Sequence, residues 1–170
     1  MTVIESERLS LRKLTAEDAP FILELVNDPA WLRHIGDKRV RTLDDARVYI
    51  ANGPMASHER HGFGLDLVKL KVDATPIGIC GLIRRDTLTD VEIGFAFLPP
   101  FRGAGYAFES AVAVLRHAKE SLALPRITAI VSPDNHDSIH VLEKLGLRFE
   151  KMVRLHAEGP ETRLFGRELR

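Results

Sequence analysis

The chain holds a single cysteine, Cys80, which excludes an internal disulfide. It carries no excess of either charge, since Lys and Arg together number 24 and Asp and Glu together number 24. That balance argues against a nucleic-acid partner, because such binders usually carry a basic surplus. No apolar run approaches the length of a membrane-crossing helix, and the first residues lack the charged-then-apolar order of a secretory signal. A cytoplasmic protein with no membrane partner is therefore expected. No repeat, low-complexity segment or shift of composition divides the sequence. What remains, 170 residues at 45% apolar content, suits one domain over 1–170 with a sizeable core. Cys80 itself lies in an apolar strand pattern with no base nearby, so a buried small hydrophobe is expected rather than a nucleophile.

One stretch organises the rest: Pro99-Pro100-Phe101-Arg102-Gly103-Ala104-Gly105-Tyr106-Ala107-Phe108-Glu109. An alternating apolar run over 91–98 precedes it and a helical pattern over 106–122 follows it. The glycines thus fall in a strand-to-helix turn, where the backbone can turn tightly and approach a ligand. The first amides of the helix lack intrahelical partners, and with the helix dipole they favour an anion such as a phosphate. An ATP-binding P-loop is excluded because its closing Lys-Ser/Thr pair is missing. A dinucleotide fingerprint is incomplete, since Phe108 occupies the place of its third glycine and no acidic residue closes the strand over 126–132.

A different signature fits without a gap. Arg102-x-x-Gly105-x-Ala107 matches the pattern Arg/Gln-x-x-Gly-x-Gly/Ala. Glu7-Arg8-Leu9-x-Leu11-Arg12 and Glu92-Ile93-Gly94-Phe95 lie before it, and Pro133-Asp134-Asn135-x-x-Ser138 and Leu142-Glu143-Lys144-Leu145-Gly146-Leu147 after it. In this ordered set the chain resembles the GNAT family of N-acetyltransferases, within the branch that includes the bacterial ribosomal-protein N-terminal acetyltransferases. The resemblance covers nearly the whole chain. It implies a mixed α/β domain with a central twisted sheet flanked by helices. It also implies acetyl-CoA as cosubstrate, an amine as acceptor and no metal.

The local patterns are compatible with such a fold. Leu9 and Leu11 alternate with polar neighbours as in a half-buried strand. Thr15 caps a helix with Phe21, Ile22, Leu25 and Val26 as its apolar stripe, ended by Asp28-Pro29. The linker over 31–40 is poorly patterned and leaves room for a short helical turn. Thr42 caps a second helix expected to stop at Gly53-Pro54. Strands are expected over 63–70 and 76–84, then over 91–98, and Phe108, Ala111, Val112, Leu115, Ala118 and Leu122 form one face of the following helix. Ile127, Ala129 and Val131 alternate as a strand, a helix follows over 136–145, and a hairpin closes the chain.

Side chains of a strand alternate between faces, so Glu92, Gly94 and Ala96 share one side and leave room beside them. In the family, the pantetheine arm of coenzyme A lies along this strand like an added strand. The resemblance therefore assigns coenzyme binding to Phe95, Phe97 and Leu98, to Arg102, Gly103, Ala104, Gly105, Tyr106 and Ala107, and to Asn135 and Ser138. It assigns chemistry to Glu92, as the base that takes a proton from the acceptor ammonium, and to Ser138, as a donor to the departing thiolate. The bland reading of Glu92 is a structural carboxylate paired with Arg84 or Arg12, and that of Asn135 is a helix cap. Many relatives place a tyrosine seven residues after the asparagine, where this chain has Leu142, which cannot donate a proton. His136 and His140 have metal-ligand spacing but no evident third ligand.

In the family, the first helices border the acceptor cleft. Trp31 there reads as a core anchor, and His34 could touch a substrate. Arg33, Lys38, Arg39 and Arg41 make the linker basic, which leans toward a neutral or acidic acceptor such as a protein N-terminus. A small amine, a CoA-binding module without catalysis and a homodimer are the alternatives and the assembly left open. Gly105→Val is expected to weaken coenzyme binding far more than stability.

Overall fold

Short β-prone runs with inward apolar residues build one eight-stranded sheet in the computed structural model, which describes residues 3–170. The strands are β1 Ile4–Glu5, β2 Leu9–Lys13, β3 Leu65–Leu70, β4 Pro76–Ile83, β5 Glu92–Phe97, β6 Arg126–Val131, β7 Arg148–Arg154 and β8 Glu161–Glu168. Their spatial order is β1-β2-β3-β4-β5-β6-β8-β7, and every pairing is antiparallel except β5 with β6. The helices are α1 Ala19–Val26, α2 Pro29–His34, α3 Leu43–Ile50, α4 Ala56–His61, α5 Tyr106–Glu120 and α6 His136–Lys144.

Strand alternation sends two sets of side chains to two cores. Leu9, Leu11, Val68, Cys80, Ile93 and Phe97 pack with Ala111, Val114, Leu115 and Ala118 of α5 and Leu142 of α6. On the opposite face Leu67 and Ile79 pack with Ile22, Leu25, Trp31 and Ile50 from the first helices. Each fully buried aliphatic side chain contributes about 1.5–3 kcal/mol. α5 and α6 therefore stand on one side of the sheet and α1–α3 on the other. Glu92, Gly94 and Ala96 face the α1–α3 side.

Three expectations change. Gly53-Pro54 does not stop the second helix. The chain widens into a π-type turn over Ala51–Met55 and continues as α4. An α-helical Pro would clash with the carbonyl four residues back; the wider turn relieves this, since its hydrogen bonds reach one residue further. Asp28-Pro29 ends α1 but also starts α2, because Pro suits a first helical turn and the Asp28 carboxylate accepts from the amides of Ala30 and Trp31. The buried face of α5 is rotated from the expected stripe. It holds Ser110, Ala113 and Val114 with Ala111, Leu115 and Ala118, while Phe108, Val112 and Leu122 are half-buried. The small residues let α5 settle close to the sheet, and Phe108 leans toward α6, where the Lys144 ammonium lies 4.5 Å from its ring. Among the described residues, no helix is long and apolar enough to cross a membrane.

Candidate active site

β5 and β6 pair at one position, Glu92 with Thr128. There the Thr128 amide and hydroxyl both donate to the Val91 carbonyl, at 3.0 and 3.1 Å. Beyond it the strands part. Pro99, Pro100 and Pro133 follow them and have no N–H to extend a ladder. The Leu98 amide donates to the Ile77 carbonyl of β4 at 3.0 Å. By alternation the main-chain groups of Ala96 and Gly94 also turn to β4, and those of Phe95 and Phe97 turn to the opening. Leu98 is a correction to the expected set. Its amide is used by Ile77, its carbonyl accepts from the Phe101 amide, and its side chain is buried in the core on the α1–α3 side.

The glycine turn forms one lip of the opening. Gly103 and Gly105 have φ of +79° and +83°, the left-handed region that a side chain resists. A Cβ on Gly103 would meet nothing within 4 Å, and one on Gly105 would meet only Arg8 Nη2 at 3.5 Å. Gly105 caps α5 without a side chain, so the amides of Tyr106, Ala107 and Phe108 face outward. This cradle suits a phosphate. Arg8 braces it from the other end of the chain. Its Nη2 donates to the Ala104 carbonyl at 3.1 Å, its Nε donates to Glu109 at 2.7 Å, and its guanidinium carbon lies 4.4 Å from the Tyr106 ring centre. Burial pushes the Glu109 carboxyl up, but the Ser6 hydroxyl and Arg8 outweigh it and hold the group below its usual value. The charge of Glu109 near the cradle is thus offset. Arg8 and Ala104 stand 96 positions apart, and no local pattern joins them.

Arg102 does not aim freely at the cradle. Its Nε donates to the Phe97 carbonyl at 3.0 Å and its Nη2 to the Asp28 carboxylate at 2.6 Å. Asp28 also caps α2, whose other end reaches the opposite lip: Arg33 Nη2 donates to Asp134 Oδ2 at 2.8 Å. The Ser132 hydroxyl, and then Arg33, hold Asp134 well below the usual carboxylate range. α2 therefore ties together the two loops that leave β5 and β6. Trp31, at its centre, is 5% exposed and belongs to the core, as expected.

Glu92 sits at the closed end of the opening, 2% exposed, on the side of α1–α3. Its partner is Arg85, whose Nε donates to Oε2 at 2.7 Å. The expected partners are engaged elsewhere: Arg84 donates to the Thr89 carbonyl and Arg12 to Asp18. Ile83 pairs with Glu92 across β4 and β5, and Arg85 shares the parity of Ile83 whereas Arg84 does not. That parity was the available signal. Burial raises the Glu92 carboxyl above its usual 4.5, and the Arg85 cation only partly opposes this. Arg85 is also felt by Tyr49 of α3, which burial pushes up, and by Lys38, which burial first and Arg85 second push down.

On the far lip Asn135 Oδ1 accepts from the Ser138 amide at 3.3 Å, so Asn135 is a helix cap. Ser138 is half-buried, and Leu142, one turn on, is 2% exposed. His136 and His140 are exposed, and no three metal-ligating side chains converge among the described residues. Burial pushes the Cys80 thiol up to about 12, which leaves no thiolate at neutral pH.

Residues 8–148 match the family described as Acetyltransferase (GNAT) domain. The uncharacterised N-acetyltransferase YoaA of Bacillus subtilis is 27% identical over 154 residues, 89% of this chain and 86% of its own length. A crystal structure of an acetyltransferase from Agrobacterium tumefaciens superposes with a TM-score of 0.82 at 26% identity, covering 98% of this chain and 94% of that one. A ribosomal L7/L12 α-N-protein acetyltransferase solved in complex with coenzyme A gives a TM-score of 0.82 at 19% identity over 98% of each chain, a likeness of fold.

Proposed function

The chain belongs to the GNAT acetyltransferase family, and on that premise we propose that it moves an acetyl group from acetyl-CoA directly to the α-amine of a peptide or protein N-terminus, with residues 1–170 acting as one N-acetyltransferase domain. The observation that carries this reading is the placement of the buried Glu92 at the point where β5 and β6 part.

Bound acetyl-CoA would supply an acyl thioester. The residues at the opening fit it. The outward main-chain groups of Phe95 and the amide of Phe97, whose carbonyl already accepts from Arg102, can pair with an extended amide-bearing arm, and Gly103, Ala104, Gly105, Tyr106 and Ala107 present backbone to a pyrophosphate. Arg102 holds the turn in place through Phe97 and Asp28. Asn135 fixes the first turn of α6 beside the coenzyme. Glu92 takes the proton that the acceptor ammonium must lose before its nitrogen has a lone pair, directly or through water. Ser138 supplies a hydroxyl donor for the departing thiolate, in place of the proton donor that Leu142 cannot be.

The reading is tested by thiol release from acetyl-CoA against peptides with free N-termini, N-blocked lysine peptides, polyamines and aminoglycosides. Release is expected with free N-terminal peptides. Release confined to small amines would make the protein a small-molecule acetyltransferase, and release with none would make it a coenzyme-binding module.

Ser138→Ala should lower kcat by about tenfold, since a thiolate is already a fair leaving group. The cap on α6 uses the Ser138 amide and survives the change. Single-turnover rates matching the parent's would remove Ser138 from the chemistry.

A further inference from the structure

α4 buries no residue of its own, yet it is fastened to the sheet. The Ser57 hydroxyl donates to the Phe63 carbonyl at 2.7 Å, and His58 turns inward to Asp66 of β3, with Nε2 2.7 Å from Oδ1. Both side chains are enclosed, at 13% and 9% exposure. Gly64 makes room for the ring, since a Cβ there would stand 2.8 Å from His58 Cδ2. Asp66 pairs in register with Cys80, so it lies on the α5 side of the sheet, away from Glu92. Acetyl transfer as described above uses neither member of the pair.

Beside the pair lies an open cavity of about 290 Å³. Phe63, Leu82, Val114 and Leu122 give it an apolar lining, and His58 and Asp66 line it too. Asp66 Oδ2 and His58 Nδ1 have no partner among the described residues, and neither atom is sealed from solvent, so both face the cavity. Lys13 stands opposite Asp66 in the β2–β3 register and also lines the cavity, yet no ion pair joins the two. A carboxylate has room for about four hydrogen bonds, and His58 fills one of them. A nearly buried anion with an open oxygen beside apolar walls is matched by a compact ammonium on an apolar body. A metal ion is matched less well, because no three ligating side chains converge among the described residues. An anion is repelled by Asp66.

We propose that the His58–Asp66 pair and this cavity form a second ligand site, on the face of the sheet opposite Glu92, that takes a small primary ammonium carried on a short aliphatic body. The ammonium donates to Asp66 Oδ2, and the aliphatic body lies against Phe63, Leu82 and Val114. Two sources share that chemistry: a simple amine, and a free aliphatic amino acid, whose carboxylate Lys13 would meet. Ser121 lines the cavity just past the last turn of α5 and touches neither His58 nor Asp66 by hydrogen bond, so it offers a way to block entry and leave the pair intact.

The test uses the full chain without acetyl-CoA, with isopentylamine, isopentanol, isovalerate and leucine as probes, and follows backbone amide chemical shifts. Isopentylamine is expected to move the amides of Gly62, Gly64 and Gly81 saturably. Its affinity should exceed that of isopentanol, which shares its shape and lacks its charge, by roughly tenfold, the worth of a hydrogen bond to a charged group. Isovalerate should leave these amides in place. Leucine binding more tightly than isopentylamine would name the amino acid as the source, and weaker binding the simple amine. An amine can also visit the acceptor cleft, so the shifts must persist in Glu92→Gln and vanish in Asp66→Asn. Ser121→Phe should abolish them as well, and it keeps the test alive where Asp66→Asn fails to fold. Equal affinity for amine and alcohol, shifts confined to β5 around Glu92, shifts that survive Ser121→Phe, or no saturation below roughly 0.1 M would overturn the site. None of these outcomes bears on acetyl transfer, which stands or falls on thiol release.

Discussion

Glu92→Gln should cut amine-dependent thiol release by roughly 10²–10⁴-fold in kcat while leaving acetyl-CoA affinity near that of the parent. Gln matches Glu in size, so the site at the meeting of β5 and β6 is not emptied. What it lacks is a group that can accept a proton. In the parent, kcat/KM should rise with pH through the raised Glu92 value, and that limb should vanish in the variant. Stability gives an independent reading of the same carboxylate. Because the folded value lies above 4.5, the contribution of Glu92 to stability is full below about 4.5 and is lost as pH rises through the folded value. The ionised group thus costs the fold at neutral pH, and Gln has no such cost. The difference in thermal midpoint, variant minus parent, should increase from pH 4 toward pH 7. Full turnover in the variant would leave Glu92 as a structural partner of Arg85 and nothing more.

Gly105→Val should weaken acetyl-CoA binding by roughly 10²-fold or more, by placing a branched side chain where the backbone turns toward the pyrophosphate. The sequence alone suggests that the fold is spared. The φ of +83° says otherwise, since a left-handed backbone costs a non-glycine residue about 1–2 kcal/mol and a β-branched one more. A lowered thermal midpoint is therefore expected beside the affinity loss. Gly103→Ala separates the two effects. It carries the left-handed penalty at φ of +79° without the β-branched addition, and its Cβ meets open space. A smaller but measurable destabilisation with little affinity loss is expected for it. Calorimetry that finds parental acetyl-CoA affinity in Gly105→Val would contradict the assignment of the cradle.

The long α5 and the strand before it were legible because their signals are local and repeated. A period of two over 91–98 and a helical period after Gly105 leave little else for those residues to form. The interruption at Gly53-Pro54 misled because the sequence reports that an α-helix is opposed there, but not that a wider turn packed on the sheet relieves the clash. The buried stripe of α5 departs from the sequence pattern for a related reason. Ser110 and Ala113 are buried since the sheet approaches closely, and closeness is a property of the pair of elements.

From the sequence alone came the family signature over 102–107, the strand-turn-helix that carries it, the candidacy of Glu92 and the exclusion of a disulfide framework. Each depends on residue type and on spacing within about a dozen positions, which covalent geometry and hydrogen-bond periodicity translate directly into structure. Only the tertiary structure decided that Arg85 holds Glu92, that Arg8 braces the glycine turn and that Arg102 is tied to Asp28. These contacts join segments up to 96 residues apart, or turn on which of several equivalent cations finds an acid first. Coulombic partners are chosen by distance in space, and distance in space is set by how the sheet and the helices pack.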